Sequence, residues 1–201
     1  MLDVSNLDFD YSEQSVLRGV GFHLNPGSLL HLRGDNGAGK TTLLKILAGL
    51  LRPTQGQISY HGQSIWDNLA EFQQSLCYVG HKNGMSQLLT VREYCKYEFA
   101  QMDKFEKVIN RFNLKGLEDA SCALLSVGQR RRVGLLRILM SNASLWLLDE
   151  PLVGLDQQSI TVLVSCFSEH LDAGGQIILT SHQEIPLNNR IHEEYVLGVS
   201  K

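Results

Sequence analysis

Two clusters of residues have the types and spacing to handle a nucleoside triphosphate. Gly34-Asp35-Asn36-Gly37-Ala38-Gly39-Lys40-Thr41 fits the G-x-x-x-x-G-K-[ST] pattern of a phosphate-binding loop. Its glycines permit a tight backbone that turns several N–H groups toward one anion. A helix beginning at the loop adds its positive end to the same spot. Lys40 is placed to reach the β- and γ-phosphates, Thr41 to bind Mg²⁺ through its hydroxyl, and Thr42 to touch the α-phosphate. The second cluster is Leu145-Trp146-Leu147-Leu148-Asp149-Glu150, an apolar run that ends in two acids. At the carboxyl edge of a parallel sheet such acids face a ligand crevice. Asp149 suits Mg²⁺, held through its water shell, and Glu150 suits orienting and deprotonating an attacking water. Either cluster alone has a bland explanation: a ligand-free glycine turn, or acids opening a solvated turn before Pro151. Together they favour triphosphate hydrolysis.

The elements that must hold these residues follow from the hydrophobic pattern. Residues 29–33 form a compact apolar strand running into the glycine loop, and residues 16–24 a strand region ended by Asn25-Pro26-Gly27. After the loop, Leu43, Leu44, Ile46, Leu47, Leu50 and Leu51 recur at helical spacing, with Pro53 as the expected stop. Residues 57–60 alternate like an edge strand. Between 82 and 142 strand-like runs vanish, and residues 94–114 carry helix-period apolar positions. Residues 145–148 and 176–180 are continuous apolar runs, as in strands buried on both faces of a parallel sheet. Strands alternating with helices predict an α/β core with right-handed crossovers, interrupted by a helical insertion.

The chain of 201 residues, 43% of them hydrophobic, has room for one domain with a modest insertion. A net charge of −3 disfavours nonspecific nucleic-acid binding. Cys77, Cys95, Cys122 and Cys166 are scattered without a C-x-x-C pair, so reduced thiols are expected. The first residues lack the basic start and apolar run of a signal peptide. No stretch reaches the roughly 18 apolar residues needed to cross a bilayer, so no direct bilayer insertion is expected.

Leu125-Ser126-Val127-Gly128-Gln129 closely resembles the LSGGQ signature of ABC ATPases, and it falls between the helical insertion and the Asp149 strand. Other pieces come in that family's order. Tyr11, with Phe9 as a rival, matches the aromatic residue that stacks on adenine. Gly154-Leu155-Asp156 matches the D-loop, and His182 the switch histidine at the γ-phosphate. The resemblance covers essentially the whole chain. It implies a P-loop NTPase cassette with a RecA-like mixed-sheet core: residues 1–81 and 142–201 the nucleotide-binding lobe, and 82–141 the insertion carrying the signature. It further implies ATP and Mg²⁺ as ligands, and a second copy of the chain whose P-loop faces Ser126, Val127, Gly128 and Gln129 across a shared nucleotide. Val127 departs from the usual glycine, and a side chain there would crowd the γ-phosphate. Arg130, Arg131 and Arg132 are expected on a solvated helix face.

The family's glutamine is due at position 81, where this sequence has His81. A neutral imidazole can accept a hydrogen bond from a metal-bound water as glutamine can. Beside it, Met85, Leu88 and Leu89 offer an apolar face for a membrane subunit. Tyr78-Val79-Gly80-His81-Lys82-Asn83-Gly84-Met85, Leu89-Thr90 and Ile178-Leu179-Thr180-Ser181-His182-Gln183 are similar to the family of cytochrome c maturation ATP-binding subunits, the haem-exporter ATPases. That closer resemblance implies two such ATPases with two membrane permease subunits resembling CcmB, peripheral on the cytoplasmic face of a bacterial inner membrane. The energised step is then haem-related export or release of a haem chaperone. Another cargo, such as a peptide or lipid, and a soluble ABC ATPase acting on ribosomes or DNA are the alternatives. The second is disfavoured, because this sequence shows neither the paired cassettes nor the coiled-coil insertion usual in such proteins.

Overall fold

The structure, a computed structural model, describes residues 1–81, 84–99, 102–187 and 192–198. Its strands sort into two sheets. β1 (Leu2–Tyr11) and β2 (Gln14–Leu24) form a hairpin, and β4 (Gln55–Tyr60) pairs antiparallel with the other side of β1. The two-residue β5 (Gln63–Ser64) closes this sheet in the order β2-β1-β4-β5. β4 is therefore an inner strand and not the expected edge, because β5 covers its far side. The other sheet is wholly parallel. It takes β3 (Leu29–Arg33), β6 (Leu76–Val79), β7 (Leu145–Asp149), β8 (Gln176–Thr180) and β9 (Glu193–Val196) in the order β6-β7-β8-β3-β9.

The apolar runs of β3, β7 and β8 explain how the parallel sheet is covered. Successive side chains point to opposite faces. Leu30, Leu32, Leu145, Leu147 and Ile178 meet α1 (Lys40–Leu47) and the antiparallel sheet in one core. Leu29, Trp146, Leu148, Ile177 and Leu179 meet α5 (Val127–Met140), α6 (Gln157–Asp172) and the helices of the insertion in a second core. β7 and β8 are buried along their whole length, as two-faced strands require.

α1 buries Leu43, Leu44, Ile46 and Leu47 completely, each contributing about 1.5–3 kcal/mol on transfer from water. It ends sooner than Pro53 suggests. Gly49, at φ +70, takes the left-handed conformation that terminates a helix, and a Cβ there would strike the Leu69 side chain at 2.4 Å. α2 (Leu69–Gln74) thus packs against the stop itself. Residues 94–114 form two short helices, α3 (Val91–Glu98) and α4 (Phe105–Arg111), rather than one. A capping box of Thr90 and Glu93 starts α3. Among the described residues no helix is long and apolar enough to cross a membrane.

Candidate functional site

The chemistry-bearing residues gather where parallel strands end. The glycine loop follows β3, His81 follows β6, Asp149 and Glu150 follow β7, and His182 follows β8. Open α/β sheets bind ligands at this edge.

Gly34, Gly37 and Gly39 all have positive φ. At Gly39, the N-cap of α1, a Cβ would meet Leu17 Cδ2 at 2.7 Å, so only glycine lets the loop lie against β2. Lys40 Nζ donates to the carbonyls of Gly34 (2.7 Å) and Asp35 (3.0 Å), which folds the lysine back over its own loop. Asn36, Ala38 and the three glycines complete the turn. A cavity of about 300 Å³ opens beside it, lined by Tyr11, Gln14, Val16, Gly37, Gly39, Lys40, Thr41 and Thr42. Tyr11 is 46% exposed, whereas Phe9 is buried and meets Tyr11 edge-on at 4.8 Å. Of the two rival rings, only Tyr11 can offer a face to a ligand.

The carboxylates are held by hydroxyls from both sides. Thr41 Oγ1 donates to Asp149 Oδ2 at 2.7 Å, and Thr180 Oγ1 donates to Asp149 Oδ1 at 2.8 Å. Two oxygens of the Thr41–Asp149 pair therefore stand side by side, the donor set that a hard cation such as Mg²⁺ takes. Thr180 also accepts from the Glu150 N–H at 2.9 Å. Glu150 has φ +51, a left-handed conformation strained for a residue with a side chain. One carboxylate oxygen accepts from the His182 N–H at 3.3 Å. The other lies 3.4 Å from His182 Nε2 without hydrogen-bond alignment and has no hydrogen-bond partner. A buried acceptor left open beside a histidine can take a proton from a water. Thr180 was legible only as part of a strand, yet it joins both acids.

The signature lies on a different surface. Ser126 caps α5, and a capping box joins its hydroxyl to the Gln129 N–H and its own N–H to the Gln129 side chain. The box leaves the N–H groups of Val127 and Gly128 without partners among the described residues, an anion-binding helix end. Val127 is 70% exposed. Gly128 abuts the Gly154 carbonyl, and Asp156 caps α6 by accepting from the Ser159 N–H at 2.8 Å. That bond holds the Asp156 carboxyl below its usual range. No hydrogen bond links residues 126–129 to the glycine loop among the described residues.

Beside the sheet edge runs a cleft of about 1000 Å³, from Thr41 and Asp149 past His81 to Glu98, Phe99 and Arg137. His81 is exposed at its wall, while Lys82 and Asn83 lie outside the described residues. Of the expected apolar face, Met85 and Leu89 pack onto the core and Leu88 stays 93% exposed. The three arginines depart from expectation most. None is exposed, and Arg131 is buried (6% exposed) against the sheet, because α5 is enclosed between the parallel sheet and the insertion. The signal was present: three consecutive residues on a helix spread over some 200° and cannot share one solvated face.

Comparison with known proteins gives these surfaces a context. The model of the ABC transporter family matches residues 17–153. A "Cytochrome c biogenesis ATP-binding export protein CcmA" of Legionella pneumophila (strain Lens) is 50% identical over 98% of this chain and 100% of its own length. One of the same name from Vibrio vulnificus (strain YJ016) is 39% identical, covering 92% of this chain and 93% of its own. Among solved structures, an ATP-binding subunit of an ABC transporter superposes with a TM-score of 0.89 at 26% identity, covering 98% of this chain and 85% of that one.

Proposed function

Since the chain belongs to the ABC transporter family, among its cytochrome c biogenesis ATP-binding export proteins, we propose that it energises the haem-related export or haem-chaperone release step of cytochrome c maturation. It is the ATP-binding, ATP-hydrolysing subunit of such a transporter, and ABC ATPases act as pairs joined to membrane permease subunits. A permease resembling CcmB is the proposed membrane partner, with this chain peripheral on the cytoplasmic face of the inner membrane. The observation that carries the hydrolytic assignment is the Thr41–Asp149–Thr180–Glu150 network at one sheet edge.

Tyr11 stacks on the base, and the loop of Gly34, Asp35, Asn36, Gly37, Ala38 and Gly39 presents backbone N–H groups to the phosphates. Lys40 releases its carbonyls to meet the β- and γ-oxygens, and Thr42 touches the α-phosphate. Thr41 and Asp149 would hold Mg²⁺, which supplies charge neutralisation at the phosphate oxygens. Glu150 takes the proton of the attacking water at its open carboxylate oxygen, and His182 donates toward the γ-phosphate. His81 accepts a hydrogen bond from water at the mouth of the cleft. Ser126, Val127, Gly128 and Gln129, with Asp156 beside them, close on the nucleotide held by a second copy.

Glu150→Gln tests this directly in the complex with its membrane partner. ATP binding should persist while turnover falls by about 10²–10⁴-fold, with the ATP-bound pair accumulating. In cells lacking their own gene for this subunit, the parent should restore covalent haem on c-type cytochromes and the variant should not. Near-parent turnover would remove Glu150 from catalysis, and restoration of cytochromes by the inactive variant would detach hydrolysis from maturation.

A further inference from the structure

Arg131 lies among backbone groups to which its own helix does not belong. Its Nη2 donates to the Glu150 carbonyl at 2.5 Å and reaches the Asp149 carbonyl at 3.3 Å. Its Nη1 reaches the carbonyls of Gly80 and His81 at 3.5 and 3.4 Å. One side chain on the signature helix thus spans the turn after β7 and the segment after β6. Only a guanidinium offers donors in a planar fork wide enough to serve both. Taking a cation out of water is expensive. Here burial lowers the guanidinium pKa from its ordinary value, and the nearby charges of Asp149 and Glu150 oppose that shift without cancelling it.

The Glu150 carbonyl is the informative partner. With φ +51, Glu150 occupies a region that costs a non-glycine residue about 1–3 kcal/mol. Pro151 follows it and biases the preceding residue toward extended backbone, so local preference does not select this conformation. Bonds at both ends hold it: Thr180 on the N–H, and Arg131 together with the Val153 N–H (3.3 Å) on the carbonyl. Between them they fix the backbone from which the carboxylate projects toward His182.

We propose that Arg131 is a positioning residue for ATP hydrolysis, holding Glu150 in its left-handed conformation and coupling that conformation to the seating of α5. Movement of the helix that begins at Ser126 shifts the guanidinium, and with it the Glu150 backbone and the His81 segment together. A signature helix engaged on a partner's nucleotide then sets the base on this chain's own nucleotide. The proposal rests on the assignment of Glu150 as the base.

Arg131→Lys retains charge and stem but not the fork, and it should fold. In the complex with the membrane partner its kcat should fall roughly 30–100-fold, the scale of a misplacement of about 1 Å. Its KM for ATP should stay within about threefold, because the phosphate loop is untouched. In the Glu150→Gln background, Arg131→Lys should slow the residual single-turnover rate by less than about twofold, since the group it positions is already gone. A loss of packing alone would instead cost as much in that background as in the parent. Arg131→Met should behave as Arg131→Lys does, and if it fails to fold the lysine variant decides. Parent-like kcat in Arg131→Lys, with Glu150→Gln still slow, overturns the proposal and leaves the base assignment standing. So does a full 30–100-fold further loss in the double variant. Near-parent turnover in Glu150→Gln alone overturns the base assignment, and the proposal with it.

Discussion

At the carboxyl edge of the parallel sheet, Asp149 is 2% exposed and both its oxygens accept from hydroxyls of other elements. At the start of α5, Val127 is 70% and Leu124 83% exposed, and the hydrogen bonds of Ser126 and Gln129 stay within one turn of helix. The first region is anchored through two strands and a helix, and groups so held need little reorganisation when charge develops on a phosphate. The second is a helix end with open N–H groups and apolar neighbours in water, a surface whose satisfaction must come from outside the subunit. One folded chain therefore anchors its phosphate half internally and leaves its signature half open, the end that the proposed pairing would complete.

The sharpest way to break this contrast is to damage each half on a different copy. Lys40→Ala removes charge-assisted bonds to the phosphates and should weaken ATP binding roughly 100-fold. Ser126→Arg fills the α5 end with a long side chain and should spare ATP binding while abolishing steady-state turnover. Mixed pairs contain one site with both lesions and one with neither, so coexpressed variants should recover up to about half of the parent rate per mixed pair. Absence of any recovery, with both variants folded and the mixed pair isolated, would show that each copy completes its own site.

A smaller effect is expected at the junction of the halves. His81→Gln retains an acceptor and should keep hydrolysis within about threefold of the parent, whereas His81→Ala should lose about tenfold, the worth of one hydrogen bond to a polarised water. Parent-like rates in both would return His81 to an ordinary loop residue. The exposed Leu88 beside it offers a separate reading of the membrane contact: Leu88→Glu should weaken assembly with the permease without altering the unassembled subunit's ATP affinity.

The sequence made the phosphate half readable because its chemistry is local. Gly39, Lys40 and Thr41 adjoin one another, and the acids close an unmistakable apolar strand. Pro53 was a plausible helix stop, but Gly49 acted four residues sooner because α2 packs on it. The single helical pattern over 94–114 broke into α3 and α4, since apolar period alone does not mark an interruption. Thr180 and Arg131 were the harder cases. Their partners lie about 30 residues before the threonine and about 20 after the arginine, or 50 before it, so their roles appear only when β6, β7, β8 and α5 are side by side. A buried arginine also runs against the usual preference of that residue for the surface.

The smallest expected effect tests whether the rigidity of the phosphate half extends behind the sheet edge. His31, on β3, is 6% exposed, and its Nε2 lies 3.0 Å from the Ser181 carbonyl, directly before His182. Burial pushes its pKa below the ordinary 6.5, opposed by that hydrogen bond and by Glu194. The fold therefore favours the neutral ring. Its contribution to stability is complete above the unfolded pKa and is lost as pH falls from about 6.5 through the lower folded value. Acidification from pH 7.5 to 5.5 should lower the thermal midpoint of the parent, with His170 contributing in the same sense because burial lowers its pKa too. His31→Gln keeps a donor for Ser181 but does not titrate, so it should show a shallower drop. If the contrast holds, hydrogen exchange at pH 5.5 should quicken in β8 of the parent more than in α5, and His31→Gln should remove that difference. Equal acid sensitivity of the two segments, or an unchanged slope in His31→Gln, would show that the anchoring of the phosphate half does not reach through β3.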